Sequence, residues 1–385
     1  MKIAFVYDAV YPWVKGGAEK RIFELGRRLV VEGNEVHIFG VKWWEGACII
    51  KIEDMILHGV CAPMELYANG RRSVSEAIIY SIKLFPHLIR GRFDVIDVSS
   101  FPYFSCFTVK TVSVLRKTPM IITWHEVWGD YWYEYMGFIG FFGKLVEHLV
   151  PKLTHTPIAV SAVTENNLRL LGMNGKNVRM VPNGMDLKRI AEITPSEVEC
   201  DIIFAGRLTR EKNVDVLIES IGYLREKLPD VSCHIIGDGP EAGRLMKLSN
   251  DSDLVSNIRF SGFVEYEAVI SRIKSSKVLV LPSTREGFGM VVIEAFACGV
   301  PVITVNDTRN AASSLVNEDT GFVVNLDSKE IGDTAYTLIR EHELRDRMGA
   351  SARKLAGDYD WDGIVKQLMG VYEESTEKSK DDCSK

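Results

Sequence analysis

KIAFVYDAVYPWVKGGAEKRIFELGRRLVVEGNEVHIFG, Lys2 to Gly40, decides the fold of this chain. KIAFVYD is an apolar run closed by Asp8, short enough for a buried strand. Gly16 and Gly17 mark a turn. Ile22, Leu25, Leu29 and Val30 then recur on one helical face, while Lys20, Glu24, Arg27 and Arg28 lie elsewhere. EVHIFGV, Glu35 to Val41, is a second strand. Strand, glycine turn, helix and strand in that order open a parallel α/β sheet. The rhythm continues through DVIDVSS (Asp94–Ser100), PMIITWH (Pro119–His125) and PIAVSA (Pro157–Ala162).

At VPNGMD, Val181 to Asp186, the alternation pauses, and a polar stretch from Ala191 to Glu199 contains Pro195. It restarts with CDIIFAG and runs through a helix from about Val214 to Leu228, VSCHIIG, NIRFSGF, KVLVLPS and PVITVN. The expected fold class is therefore α/β, with two Rossmann-like, doubly wound domains facing across a cleft. The expected divisions are 1–185, 186–360 and a C-terminal segment 361–385 whose charged end, from Glu373, should fray. In such folds ligands bind outside the carboxyl ends of the strands, at helix N-termini.

Composition narrows the function. The chain has 385 residues, 46% of them hydrophobic and 25% charged, which excludes disorder and a collagen-like repeat. A formal net charge of -6 argues against nucleic acid as the main partner. The seven cysteines are odd in number and form no CxxC, so neither a disulfide framework nor a zinc site is expected and a reducing compartment is. The opening run Ile3–Tyr7 is too short for a signal sequence, and no run approaches the roughly 20 apolar residues of a membrane span. The expected location is the cytoplasm, with the inner face of a membrane as an alternative.

Five motifs carry the chemistry. In PSTREGFGMVVIEAFACGVPVI, Pro282 to Ile303, Glu286 precedes a helix and Glu294 follows eight positions later. Eight helical positions turn about 80° net and rise about 12 Å, so both carboxylates can face one extended ligand. Gly287 and Gly289 allow close backbone approach at a helix N-terminus. The competing reading is a surface-helix acid and an N-terminal helix carboxylate. In FAGRLTREKNVDVLI, Phe204 to Ile218, Arg207 and Lys212 stand between a strand end and a helix, a placement that suits a diphosphate. A solvated basic loop is the alternative, and Arg210 and Glu211 fit it. VKGGAEKR places Gly16 and Gly17 where backbone N–H groups can meet a phosphate or sugar oxygen, or form a plain turn. ITWHE puts His125 at the carboxyl end of an apolar strand. IIGDGPEA matches G-x-G-x-x-A through Gly237, Gly239 and Ala242, but it follows the second strand of its unit and reads as a strand-to-helix turn.

Together these motifs resemble the retaining glycosyltransferases of family 4, of the GT-B fold. The resemblance rests on GGAE, the His after a middle strand, VPNGMD, GRLTREKN, IIGDGPE, SGFV and the E-x7-E form EGFGMVVIE. It spans nearly the whole chain and is more specific in the second half. DYDWDGIVKQLMGVY, Asp358 to Tyr372, also resembles the family's last segment, which crosses back onto the N-terminal domain. The resemblance implies that Arg207 and Lys212 hold the donor diphosphate, Glu286 touches the donor sugar, and Glu294 holds the ribose. It implies that Gly287, Phe288 and Gly289 offer backbone N–H groups, and that Gly262 and Phe263 flank the base. Gly16 and Gly17 would approach the phosphate, and His125 the donor sugar; Glu286, His125, Arg207 and Lys212 are the implied catalytic set. No metal and no cofactor are expected beyond the UDP- or GDP-sugar donor, since no Asp-x-Asp stands at a strand end. Two cations and a helix N-terminus can stabilise a leaving diphosphate.

The acceptor side is less specified. Arg71, Arg72, Lys83, Arg90 and Arg92 surround Ile78, Ile82, Phe85 and Ile89. Farther on, Trp128, Tyr131, Trp132, Tyr133 and Tyr135 precede Phe138, Phe141, Phe142 and Leu145. These stretches read either as helices packed on the first sheet or as surfaces for sugar rings and peripheral membrane contact. A glycan or lipid-linked acceptor is expected. The competing functions are a nicotinamide-dependent oxidoreductase, resting on the Gly237 turn, and a catalytically idle glycan-binding relative.

Overall fold

Neighbouring residues of the first strand belong to different cores: Ala4 and Val6 face one helical layer, Ile3 and Phe5 the other. That alternation is the period-two geometry of a strand buried on both sides. The computed structural model describes residues 1–68, 71–173 and 178–383. They form two compact units, one joining Met1–Asn183 to the segment from Trp361 onward, the other Gly184–Asp360.

The first unit contains, in chain order, β1 (Lys2–Val6), α1 (Gly17–Val31), β2 (Glu35–Gly40), β3 (Ile49–Ile52), β4 (Met55–Gly59), the short pair β5 (Tyr67–Ala68) and β6 (Arg71–Arg72), and α2 (Val74–Leu88). It continues with β7 (Val95–Ser99), α3 (Phe104–Arg116), β8 (Met120–Trp124), α4 (Tyr131–Met136), α5 (Gly140–Leu149), β9 (Thr156–Ala159), α6 (Ala162–Leu168) and β10 (Arg179–Met180). Its sheet runs β10-β9-β8-β7-β1-β2-β4-β3, parallel except for the hairpin of β3 with β4. Residues of α2, α3 and α4 cover one face. Residues of α1 and of the C-terminal helix cover the other.

The second unit holds α7 (Leu187–Glu192), β11 (Cys200–Ala205), α8 (Val214–Arg225), β12 (Cys233–Ile236), α9 (Ala242–Asp251), β13 (Ile258–Phe260) and α10 (Tyr266–Lys274). Then come β14 (Ser276–Leu281), α11 (Met290–Cys298), β15 (Val302–Val305), β16 (Gly321–Val324), α12 (Ser328–Arg340) and α13 (His342–Ala356). Its all-parallel sheet has the order β13-β12-β11-β14-β15-β16. The strand order reverses between β11 and β14, and such a reversal is where doubly wound sheets bind ligands. Helix α8 stops at Arg225 rather than Leu228; Pro229 disfavours helical geometry at the residue before it.

The last helix, α14, spans Trp361–Cys383, so helical backbone continues past Glu373, where fraying was expected to begin. Trp361, Ile364, Val365, Leu368 and Tyr372 are buried against the first unit. Beyond Glu373 the helix is still tied down, by an ion pair of Glu374 with Arg179 and by Ser375 Oγ at 3.1 Å from Thr156 Oγ1. Among the described residues no helix is long and apolar enough to cross a membrane.

Candidate active site

The reversal point of the second sheet brings two of the expected residues into contact. Lys212 closes a 3-10 turn after β11, and its Nζ lies 2.5 Å from Glu286 Oε1 in the loop after β14. Both side chains are largely shielded. The contact is made possible by Asn213, which adopts the left-handed conformation at φ 47° immediately before α8. Asparagine tolerates that region better than most residues. Its Nδ2 donates to Pro282 O at 3.0 Å and to Thr284 Oγ1 at 3.1 Å, and Thr284 N donates back to Glu211 O at 2.9 Å. The two loops are thereby stapled together. On its other side Glu286 is framed by backbone: its N–H donates to Arg309 O at 3.1 Å, and its carbonyl accepts from Ala311 N at 2.9 Å. Asn310 fixes that frame, being fully buried and donating to Val305 O at 2.8 Å. Arg207 follows β11 and is exposed.

Helix α11 begins beside this pair. Its N-cap, Gly289, has φ 102°, and a Cβ there would stand 2.7 Å from Ala312 Cβ, so glycine is required twice over. Glycine supplies no side-chain acceptor to the helix's first turn. Phe288 is buried with its ring edge-on to Tyr359 at 6.0 Å, leaving its backbone as the part a ligand can use. Glu294 lies one face further along α11, buried, and accepts a hydrogen bond from the Tyr266 hydroxyl; burial and that carboxylate push the phenol well above its usual range. Arg189 stacks over the Tyr266 ring at 5.6 Å. Gly262 is left-handed at φ 62°, and the neighbouring Phe263 presents an exposed ring.

The turn IIGDGPEA has a packing explanation. A Cβ on Gly237 would be 1.8 Å from Gly206 O, and one on Gly239 would be 2.3 Å from Leu208 O. The turn's polar groups are also spent internally: Gly237 N donates to Gly262 O and Leu208 N to Asp238 O, each at 2.9 Å. These glycines exist so that the loops after β11 and β12 can touch.

In the first unit, Gly16 is the N-cap of α1 and Gly17 its first residue. His125 follows β8 and lines a small cavity with Phe5, Arg21, Ile22, Leu25, Asp97, Ser99 and Thr123. Its Nε2 is 3.4 Å from Ser99 Oγ. Burial, reinforced by the Arg21 charge, lowers its pKa to about 3, so the imidazole is neutral at physiological pH. Beneath it lies a polar network. Asp97 Oδ1 accepts from Thr123 at 2.7 Å and Oδ2 from the Tyr372 hydroxyl of α14 at 2.6 Å. Arg21, also buried, donates to Val181 O at 3.0 Å, to Asn183 Oδ1 at 3.0 Å and to Pro182 O. Thus GGAEKR and VPNGMD, read separately in the sequence, are joined by one guanidinium.

A second cluster sits at the end of β1. Asp8 is fully buried and ion-paired with Arg72, and Glu76 at the start of α2 is 1% exposed. Asp8 Oδ1 and both carboxyl oxygens of Glu76 lack a donor among the described residues. Burial raises Asp8, and burial together with Asp8 raises Glu76 to about 8, so the two carboxyls retain a proton between them. Burial also lifts Glu19 to about 6. The other acceptor-side candidates divide. Trp132 is buried and Trp128 and Ile89 pack on the core, while Ile78, Ile82, Phe85, Tyr133, Phe138, Phe141, Phe142 and Leu145 are exposed. The side chain of Arg71 lies outside the described residues.

Asn213, Thr284, Asn310, Tyr266 and the Arg21–Asp97–Tyr372 network were not expected from the sequence. Only Asn213 left a signal, an asparagine directly before an apolar helix. Among the described residues no group of three or more His, Cys, Asp or Glu side chains is placed to hold a metal ion.

Comparison with known proteins places this geometry. The family model for glycosyl transferases group 1 matches residues 188–355, and that for glycosyltransferase family 4 matches residues 15–189. The chain belongs to the family 4 glycosyltransferases. A phosphatidyl-myo-inositol mannosyltransferase of Mycobacterium leprae is 29% identical over 370 residues, 94% of this chain and 93% of that one. A GDP-mannose-dependent monoacylated alpha-(1-6)-phosphatidylinositol monomannoside mannosyltransferase of Corynebacterium glutamicum is 28% identical over 212 residues, 50% of this chain and 55% of that one. The chain spans about half the length of most of the curated relatives it matches. Among solved structures, sucrose-phosphate synthase from Thermosynechococcus elongatus superposes with a TM-score of 0.80 at 19% identity, covering 97% of this chain and 98% of that one. That likeness establishes the GT-B fold.

Proposed function

We propose that this family 4 member moves a hexose from a nucleoside-diphosphate sugar to a glycan or lipid-linked acceptor, with retention at the anomeric carbon and without a metal. One observation carries the reading: Lys212 and Glu286 meet at the reversal point of the second sheet, beside the start of α11. A cation held there by a carboxylate is placed for a diphosphate, and the carboxylate for the sugar hydroxyls next to it. Arg207 adds a second cation, and the N–H groups of Gly287, Phe288 and Gly289 add neutral donors. Glu294 is assigned to the ribose hydroxyls, exchanging its Tyr266 partner for them. Gly262 and Phe263 are assigned to the base. In the first unit, Gly16 and Gly17 are assigned to phosphate and the neutral His125 to the donor sugar.

The transfer proceeds by front-face attack. The acceptor oxygen bonds to the anomeric carbon as the bond to the diphosphate oxygen breaks, and the leaving phosphate takes the acceptor's proton. The ion pair favours this over a covalent intermediate on Glu286, because the carboxylate is engaged by Lys212 rather than held as a lone nucleophile. The donor is a UDP-glucose or GDP-mannose type, in keeping with the GDP-mannose dependence named for the Corynebacterium relative.

Isothermal titration with UDP, GDP and NADH tests the reading. Binding of one nucleoside diphosphate is expected; binding of NADH with neither diphosphate would replace transfer by nicotinamide chemistry. A donor panel scored for transfer and hydrolysis, with the product anomer read by NMR, then tests turnover and retention. Diphosphate binding without turnover of any donor would leave an idle glycan-binding relative.

A further inference from the structure

Helix α5 exposes most of its large apolar side chains. Its inward side carries Gly140 and Gly143, seated against Trp132, the half-buried Val146 and the fully buried Glu147. Glu147 accepts from the Tyr103 hydroxyl at 2.6 Å and from the N–H groups of Trp128 and Gly129 at 2.8 Å each. The outward side of α5 and the turn before it carry Phe138, which is 91% exposed, with Ile139, Phe141, Phe142 and Leu145. A helix bordering water alone places its apolar stripe inward.

Helices α2 and α3 pack on the same side of the sheet as α4 and the turn that ends α5. They add exposed Ile78, Ile79, Ile82 and Phe85 on α2 and Phe107, Val114 and Leu115 on α3. Lys83, Arg90, Arg92, Lys110, Arg116 and Lys117 accompany them, and neither 77–93 nor 98–125 contains an Asp or Glu. Five of these cations are exposed and Lys110 is half-buried; none pairs with a carboxylate among the described residues, and Arg116 donates to Ile89 O at 2.8 Å. This cationic strip belongs to a chain whose formal charge is -6.

We propose that this face docks on an anionic lipid bilayer, with Phe138, Phe141, Phe142 and Leu145 entering the headgroup region and the basic strip of α2 and α3 lying on the lipid charge. Exposed aromatics and uncompensated cations on one side of one sheet are the combination that interfacial binding needs. A second copy of the chain fits less well, since a two-fold interface would set the same cations against each other. The surface is independent of the transfer site proposed above; it bears only on the lipid-linked choice of acceptor.

The test is co-sedimentation of the full chain with vesicles of phosphatidylcholine alone and of phosphatidylcholine with phosphatidylglycerol. Pelleting is expected with phosphatidylglycerol at low salt and a marked loss at high salt, where the Debye length falls to roughly 3 Å near 1 M. Lys83→Ala and Arg92→Ala are each expected to weaken binding about fivefold. The Phe138→Ser/Phe142→Ser double variant is expected to weaken it at least tenfold. These side chains are exposed and outside the transfer site, so an unchanged thermal midpoint together with unchanged nucleoside-diphosphate binding in each variant shows that both units are folded. No pelleting with phosphatidylglycerol, or undiminished pelleting by the double variant, overturns the proposal. Concentration-dependent dimers that the double variant abolishes would give the face to a second copy instead.

Discussion

The strand-end loops of the two units solve the problem of buried charge in opposite ways. After β11 and β14, the two shielded charges answer each other: Lys212 faces Glu286, and the surrounding loops are stitched by Asn213 and Asn310. After β1, Asp8, Glu19 and Glu76 crowd around Arg72, and a retained proton takes the place of a missing cation. The first arrangement is ready to exchange one partner for an anion without leaving a charge stranded. The second is a structural knot whose charge balance depends on pH. Unpaired buried charge is costly, and each unit limits it by the means its residues allow.

The sharpest way to break this comparison is Lys212→Ala. It removes the cation assigned to the diphosphate and strands Glu286, and kcat is expected to fall about 10³-fold in a donor-transfer assay. A variant with undiminished transfer would show that the pair is only structural. Gly237→Ala comes next. With φ at 135° and a carbonyl 1.8 Å from the new Cβ, the loops after β11 and β12 must part. About 3 kcal/mol of stability should be lost, read from the denaturant midpoint. In the first unit, Tyr372→Phe leaves Asp97 short of one donor and is expected to cost about 2 kcal/mol by the same measurement.

Two smaller effects sharpen the contrast. Glu294→Gln keeps the shape of the site but removes the charge assigned to the ribose hydroxyls, and KM for the donor is expected to rise about tenfold with kcat little changed. A fall in kcat alone would move Glu294 out of the binding role. Finally, Glu76 binds its proton more tightly folded than unfolded, at about 8 against an ordinary 4.5. Its contribution is therefore complete below the unfolded value and is lost as pH rises through about 8. His125 behaves in the opposite sense: its depressed value favours the neutral form, and stability falls as pH drops from about 6.5 toward about 3. Thermal unfolding across pH is expected to show the alkaline slope in the parent chain and a flatter one in Glu76→Gln.

The same contrast explains what could be read from the sequence. The second unit's site is built from short segments, GRLTREKN and EGFG, each carrying its own turn residues and charges, so strand, loop and helix follow one another within a dozen positions. The sheet itself was legible because residues 202–205 of β11 and 278–281 of β14 are buried on both faces and appear as unbroken apolar runs. The first unit's network was not legible, because its members meet only after folding. Arg21 reaches residues 181–183 and Asp97 reaches Tyr372, separations that no local pattern announces. Asn310 was hidden for the same reason: its partner is the backbone around Glu286. On the acceptor side, the alternation of apolar and charged residues was visible, but which stripe faces inward was not. Helix α5 shows why: glycines and a buried glutamate took the inner face.

The return of α14 has a consequence for biosynthesis. Its Trp361, Ile364, Val365 and Leu368 complete the apolar layer that Ile3, Phe5, Ile22 and Leu25 begin. Translation delivers those early residues first and the completing helix only after all of Gly184–Asp360 has been made. At ~5–20 residues per second that delay is roughly 10 to 35 s. Through this interval the nascent first half carries an uncovered greasy flank on the ribosome, and the second half must fold beside it before the final turn of chain arrives to close it.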